Sequence, residues 1–381
     1  MAWTRNRPLG LVYRDASLAH SGYTLFSSVE GHHATLLDPE GCIVHCWVHP
    51  EGIQYARLLP DGNLLFHISS PAHTLPPEEV TPVGVIGGAA QALIEVDWDG
   101  NTIWEFRHEQ QHHDFVRLEN GNTVILFWEV LPDEVRRQVR GGFQHPQDPD
   151  VMLGDLIREV TPEGQVVREW RSWEHFDYAH NVICPLERRR EWTHANSISV
   201  TPGGQWLVSF RQTDTVMLIN PESGDVRWKW GPGVLSHQHH VTMLPDGHVL
   251  LFDNGTHRRG GPSYSRILEV DPAADEIVWN YQAPVLLSFT SFMVSGAERL
   301  PNSGTLITEG ATGRIFEVTP EGETVWEYVS GFAPSGRFGP TPSIFRAHRY
   351  EPDDPRFAGR DLDPSRWADA TTKLATGEHP Y

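Results

Sequence analysis

Residues 158–170, REVTPEGQVVREW, run from an apolar strand through a Thr-Pro-Glu-Gly turn into a second strand that ends in tryptophan. The phrase recurs as TLLDPEGCIVHCW (35–47), IEVDWDGNTIWEF (94–106), LINPESGDVRWKW (218–230), LEVDPAADEIVWNY (268–281) and FEVTPEGETVWEY (316–328). The closing aromatics stand at 47, 106, 170, 230, 281 and 328, so the unit repeats every 47 to 64 residues. A second phrase alternates with it: ARLLPDGNLLF (56–66), VRLENGNTVILF (116–127), SVTPGGQWLVSF (199–210), TMLPDGHVLLF (242–252) and ERLPNSGTLIT (298–308). Asp-Gly and Asn-Gly between apolar runs are strong hairpin signals. Two hairpins per repeat make a four-stranded meander. Six such units predict an all-β fold, a six-bladed β-propeller.

The first repeat lacks its own second-phrase hairpin. GYTLFSS (22–28) and PSIFRAHRYE (342–351) can supply the missing strands, so the two chain ends are expected to complete one blade. Residues 1–351 then form a single propeller domain, and the polar residues 352–381 are expected to wrap the surface or stay partly disordered. Three segments break the cadence: the Pro/Gly-rich 67–93, 128–157 with LPDEVRRQVRG as a short helix, and 171–193. Long loops on a rigid scaffold read as lids or specificity elements.

A formal net charge of −20 over 381 residues opposes non-specific nucleic-acid binding. The N-terminus shows no apolar stretch of secretory length, and no run of about 18 apolar residues is present, so a cytoplasmic location without membrane contact is expected. Self-association remains compatible with the sequence. Cys42 and Cys46, four apart on one strand, lie roughly 13 Å apart, too far for a disulfide. Cys184 stands alone in the sequence, and three reduced thiols are expected.

Aligned on their turns, the second phrases carry Gln54, His113, Asn196, His239 and Ser295 at one register, six residues before the turn position. All five are polar, although the strands that follow are apolar. In a propeller these strands line the central channel, so the five are expected to form a polar ring. His194 and His237, each two residues ahead of a ring member, should share its face, whereas His112 and His240 should point away. Arg211 closes the hairpin of the repeat that holds His194. A lone histidine is most often structural, and His348 is read that way. Shared register sets His113, His194 and His239 apart.

THANSI (193–198), VSFRQTDTVMLIN (208–220), QHHVTMLPDG (238–247) and LLFDNG (250–255) resemble the core of the aryl-sulfate sulfotransferase family. GYTLFSS, TLLDPEGCIVHCW and the HHD before RLENGN extend the resemblance over roughly residues 8 to 350. The family's propellers are six-bladed. The resemblance implies transfer of a sulfuryl group between phenols without a nucleotide donor, through a sulfated histidine and with no cofactor. It assigns the nucleophile to His239, the sulfuryl-holding groups to His194 and Arg211, and an assisting role to His113. Gln54, Asn196, Ser295, Tyr55, Tyr178 and His180 are candidate substrate-binding residues for a small anionic or aromatic substrate. Unlike well-studied bacterial members, the chain shows neither a secretory signal nor a suitable cysteine pair.

Other chemistries fit the same residues. A lyase acting on uronate sugars would use channel His, Tyr or Arg for β-elimination. Converging imidazoles can ligate Fe, Zn or Cu, although the sequence offers only the 237/239 pair as matched ligands and no metal ligand is assigned. A non-catalytic binding propeller is the fourth reading.

Overall fold

The computed structural model describes residues 8–69, 86–146, 148, 150–336 and 339–376. They form six antiparallel blades, five of four strands and one of five. Blade 1 contains Tyr23–Ser28, His33–Leu37 and Ile43–Val48, and its innermost strand is Ile344–Tyr350 from the far end of the chain, antiparallel to the first. Blade 2 contains Tyr55–Leu58, Leu64–Ser69, Ala90–Val96 and Thr102–Arg107. Blade 3 runs from Gln111–Arg117 through Thr123–Val130 and Leu153–Val160 to Val166–Arg171. Blade 4 comprises Ala195–Val200, Trp206–Phe210, Thr215–Ile219 and Val226–Trp230. Blade 5 comprises His239–Met243, Val249–Asp253, Arg266–Asp271 and Glu276–Tyr281. Blade 6, with Gly296–Arg299, Thr305–Glu309, Arg314–Val318 and Thr324–Val329, gains Gly10–Arg14 as a fifth, outer strand, which the repeat pattern did not foretell. This is the fold class of a six-bladed β-propeller. The expected completion of blade 1 by both chain ends is what the strand pairing shows.

The chain divides into two compact units. One, within residues 1–69, 93–106 and 289–381, carries blades 1 and 6 and most of blade 2; the other, within 70–92 and 107–288, carries blades 3 to 5. In each, tryptophans at the repeat-ending position (Trp47, Trp170) or two residues before it (Trp228, Trp326) have a definite task. Their indole N–H groups reach the turn of the next blade: Trp47 donates to Asp97 O at 3.1 Å and Trp326 to Pro39 O at 2.9 Å in the first unit. Trp170 donates to Gly224 O at 3.0 Å and Trp228 to Asp275 Oδ1 at 2.7 Å in the second. A tryptophan buries a large apolar body and still satisfies its single donor, so it suits a wedge between sheets. Leu, Ile, Val and Phe from alternate strand positions fill the rest of the cores.

The segment 128–157 does contain a short helix, Asp133–Arg136. It turns inward rather than standing off as a loop. Val135, Val139, Phe176 and Ile183 are buried in one cluster, and Gly141–Phe143 pairs in parallel with Ile183–Arg188 of the 171–193 segment. The two insertions are thus packed together over blades 3 and 4. Of the 67–93 segment, residues 70–85 lie outside the described residues. Beyond blade 1 the chain ends in the helix Ala368–Thr376, whose Ala370 and Leu374 are buried and whose Thr371 hydroxyl accepts from Ile43 N at 3.0 Å. Among the described residues no helix is long and apolar enough to cross a membrane, and the three cysteines are free.

Arg349, on the closing strand, is fully buried against Glu317 of blade 6 at 3.5 Å, and it donates to Thr24 Oγ1 at 2.8 Å and His20 O at 2.7 Å. Arg349→Ala leaves a buried carboxylate without its cation, and such losses cost about 3–5 kcal/mol. Urea unfolding should show a destabilisation of that order; a change below about 1 kcal/mol would contradict the role of this strand as the tie between chain ends.

Candidate active site

The inner strands of blades 3, 4 and 5 are not regular. Each ladder shifts register near its start: around His113 and Asp114, at Asn196, and at His240. His113, His194, His237 and His240 hold left-handed backbone angles, with φ of 50°, 54°, 59° and 43°. Such angles are uncommon outside glycine, although histidine tolerates them better than most residues. A bulge re-aims the side chains beside it. Strict alternation would send His112 and His113 to opposite faces. The bulge instead brings their Nδ1 atoms to 3.0 Å.

The result is a buried histidine cluster drawn from three blades. The rings of His113 and His194 lie 4.6 Å apart, centroid to centroid, beside the buried indole of Trp128. His112 stacks on the same indole at 4.1 Å. Its Nε2 stands 3.4 Å from Asp155, whose carboxyl burial raises to about 7. Glu191 accepts the Nδ1–H of His194 at 2.6 Å. Burial alone would raise the Glu191 carboxyl, but His194, Arg190 and Arg211 more than offset it and hold it below its ordinary range. Asn254 Oδ1 accepts from His239 Nδ1 at 2.8 Å, which leaves the ring lone pair on Nε2. His113 is pushed well below its ordinary pKa, first by burial and then by His194, His112, His239 and Arg211. It is therefore neutral at pH 7.

Arg211 opens a turn after the second strand of blade 4. Its backbone N donates to His194 O at 2.9 Å, and its Nη2 meets Glu187 at 3.0 Å. Burial of the arginine beside a carboxylate fixes its guanidinium near the cluster. Asn196, at the ring register, is fully buried and donates to Gln238 O at 2.8 Å, so it serves as a strut between the inner strands of blades 4 and 5. Tyr178 stacks on Trp192 at 5.2 Å, at the edge of the insertions' core. His180 is 83 % exposed and pairs with Asp177 at 3.1 Å, on the surface. The remaining candidates belong to the other unit. Gln54 is buried with its amide oxygen 3.2 Å from Ser69 Oγ. Ser295 is buried and bonds Ser291 Oγ and Gly310 N at 2.8 and 3.0 Å. Tyr55 is fully buried, its hydroxyl joined to His348 Nε2 and Arg346 Nη1 at 3.0 Å each, so His348 has the structural partners expected of it.

Sequence reasoning passed over Glu191, Asn254, Asp155 and Gly88, and it expected His112 to point away from the cluster that it joins. The first lies three residues before His194, a spacing that could have flagged it. Asn254 lies just past the end of the neighbouring strand, whose Phe252 pairs with His239, so only the folded chain brings its side chain to the His239 ring. Gly88 has φ of +86°, and a Cβ there would sit 2.2 Å from the Nε2 of His113.

A β-propeller that buries three imidazoles at the heads of its inner strands, with an arginine half-buried beside them, defines a class. Within it the chain belongs to the arylsulfotransferase (ASST) family, whose pattern matches residues 90–331. No curated protein is similar to it in sequence. Among solved structures it is similar to a Bacteroides caccae protein of unknown function, with 16 % identity, a TM-score of 0.54, and 87 % of this chain and 100 % of that one covered. It is also similar to a streptogramin B lyase, at 13 % identity and a TM-score of 0.47 over 90 % and 93 % of the two chains. The periplasmic gluconolactonase PpgL of Pseudomonas aeruginosa shows 12 % identity and a TM-score of 0.47 over 85 % and 98 %. At these identities the likeness is one of fold.

Gly88→Ala combines left-handed strain with a clash against His113, and should lower stability by about 1–3 kcal/mol. It should also shift the His113 imidazole resonances. Wild-type stability together with unmoved resonances would mean that the ring is not packed against this glycine.

Proposed function

We propose that the protein is an aryl-sulfate sulfotransferase working through a sulfated His239. The observation that carries the reading is the tie between His239 Nδ1 and Asn254 at 2.8 Å, inside a buried cluster with His113, His194 and Arg211. A neutral imidazole with its lone pair aimed by a partner on the other nitrogen is a competent nucleophile.

In the first half-reaction, Nε2 of His239 attacks the sulfur of an aryl sulfate. An N–S bond forms, the S–O bond to the ring breaks, and the phenolate departs with the electron pair. The three sulfuryl oxygens carry the developing negative charge. His194, whose ring is oriented by Glu191, and Arg211 stabilise it where water is excluded. In the second half-reaction the acceptor phenol's oxygen attacks sulfur and the N–S bond breaks, returning the lone pair to His239. The phenol proton passes to His113, kept neutral by its surroundings. The sulfuryl charge is met locally by Arg211 and His194, in a chain whose net charge is −20. No nucleotide donor is needed in this scheme, because the aryl sulfate itself supplies the group. The substrates are then small aromatic anions and phenols.

The protein quenched with donor alone and no acceptor should carry an adduct of about 80 Da, one SO₃, on a peptide containing His239. His239→Ala should lose the adduct and turnover together. His194→Ala and Arg211→Ala should each lose roughly 10²–10³ in rate, the loss seen when one oxyanion donor is removed. No adduct and no transfer across a broad aryl sulfate panel, with β-elimination of a uronate sugar instead, would replace this reading by a lyase.

A further inference from the structure

Interleaved with the candidate cluster in sequence lies a second constellation in the same unit. His237 was expected to share the face of His239. It is buried, and its Nε2 instead faces His257 Nδ1 at 3.0 Å. Cys184 Sγ stands 3.6 Å from the same His257 Nδ1. The three donor atoms all lie within 4.8 Å of one another. Glu187 adds an oxygen 3.6 Å from both imidazole nitrogens.

We propose that Cys184, His237 and His257, with Glu187 as fourth donor, form a binding site for a thiolate-accepting divalent transition metal of the zinc class. The spacing fits a tetrahedral ion. Zn–N bonds of about 2.0–2.1 Å and Zn–S bonds of about 2.3 Å imply edges of about 3.3 Å between nitrogens and about 3.6 Å between sulfur and nitrogen. The His237 tautomer is already set for ligation: its Nδ1 donates to Arg211 O at 3.0 Å, so the lone pair lies on Nε2, toward the other donors. Two imidazole nitrogens 3.0 Å apart otherwise share one proton between them; a cation replaces that proton and bonds both. The cluster is reachable, because the same three residues line an open cleft of about 570 Å³.

On binding, the Cys184 thiol gives its proton to solvent and the thiolate bonds the metal. The His257 ring proton moves to Nε2, which frees Nδ1 as a ligand, and the Glu187 carboxylate binds without proton change. Ligation is redox-neutral and releases one proton. Sequence could not reveal the set, because the donors come from an insertion, the start of blade 5 and a loop within blade 5. The proposal stands independently of sulfuryl transfer.

The test uses the full chain, stripped with a chelator and titrated with Co²⁺ and then Zn²⁺. One cobalt should bind per chain with thiolate-to-cobalt charge-transfer absorption, and zinc should bleach it. Cys184→Ser should abolish that absorption. Cys184→Ser and His257→Gln should each weaken zinc binding by roughly 10²-fold or more, beyond the 10–100-fold lost when a group that only orients a ligand is removed. Both side chains are half-buried, so circular dichroism should be unchanged, and His248→Ala, at the separate Asp246/His248/Glu269 group, should bind zinc as the wild type does. No charge-transfer band in the folded wild type, or wild-type zinc affinity in both variants, would overturn the site.

Discussion

The arrangement rests on how one inner strand satisfies the next. Strands that converge toward an axis pair laterally within their own blade, so the outward N–H groups of each innermost strand need acceptors. In the second unit those acceptors are side-chain oxygens at one register. Asp114 Oδ2 takes the N–H of Ile198 at 3.1 Å, and Ser197 Oγ takes that of Val241 at 3.0 Å. Blades 6 and 1 use the same device, with Thr308 Oγ1 accepting from Ala347 N at 3.0 Å. Asp114 directly follows His113, and Ser197 directly follows Asn196, so both acceptors stand one residue after a ring position. Fixing these links fixes the register of the histidines beside them.

That constraint explains why the site is built from bulges. A regular strand could present an acceptor to the neighbouring blade or a histidine to the cluster, but successive residues would then face opposite ways. The extra residue at each bulge lets His113 and Asp114, or Asn196 and Ser197, serve both purposes. The cost is left-handed backbone at His113, His194 and His240. Strain of this kind persists only where surrounding contacts over-determine it. Here the strut from Asn196 to Gln238, the Glu191–His194 bond and the Asn254–His239 bond supply those contacts.

Much of the architecture was legible in the sequence because its signals are local. Hairpin turns, apolar runs and a closing aromatic recur within about a dozen residues, and counting them gave six blades and the completion of blade 1 by Ile344–Tyr350. The added outer strand Gly10–Arg14 was missed because it has no hairpin partner nearby in sequence. The common register picked out His113 and His239, since equivalent strands impose equivalent positions. Most of what supports them was not legible. Asn254 and Asp155 come from elsewhere in their blades, and Gly88 acts through an empty space that only the folded chain defines; Glu191 alone stands close in sequence, three residues before His194. Asn196 shares the register yet turns to a backbone carbonyl, because a bulge inverts the two-residue alternation on which the ring was drawn. His180 failed to join the cluster for a simpler reason: it lies on the surface of an insertion with no repeat to fix its position.

The proposed transfer through a sulfated imidazole has a kinetic consequence that a ternary complex does not share. Initial rates should be measured with a chromogenic aryl sulfate varied at several fixed concentrations of a phenol acceptor. Double-reciprocal plots should give parallel lines, because the first phenol leaves before the second binds. Lines that intersect to the left of the axis would require both substrates bound together, and would contradict transfer through His239.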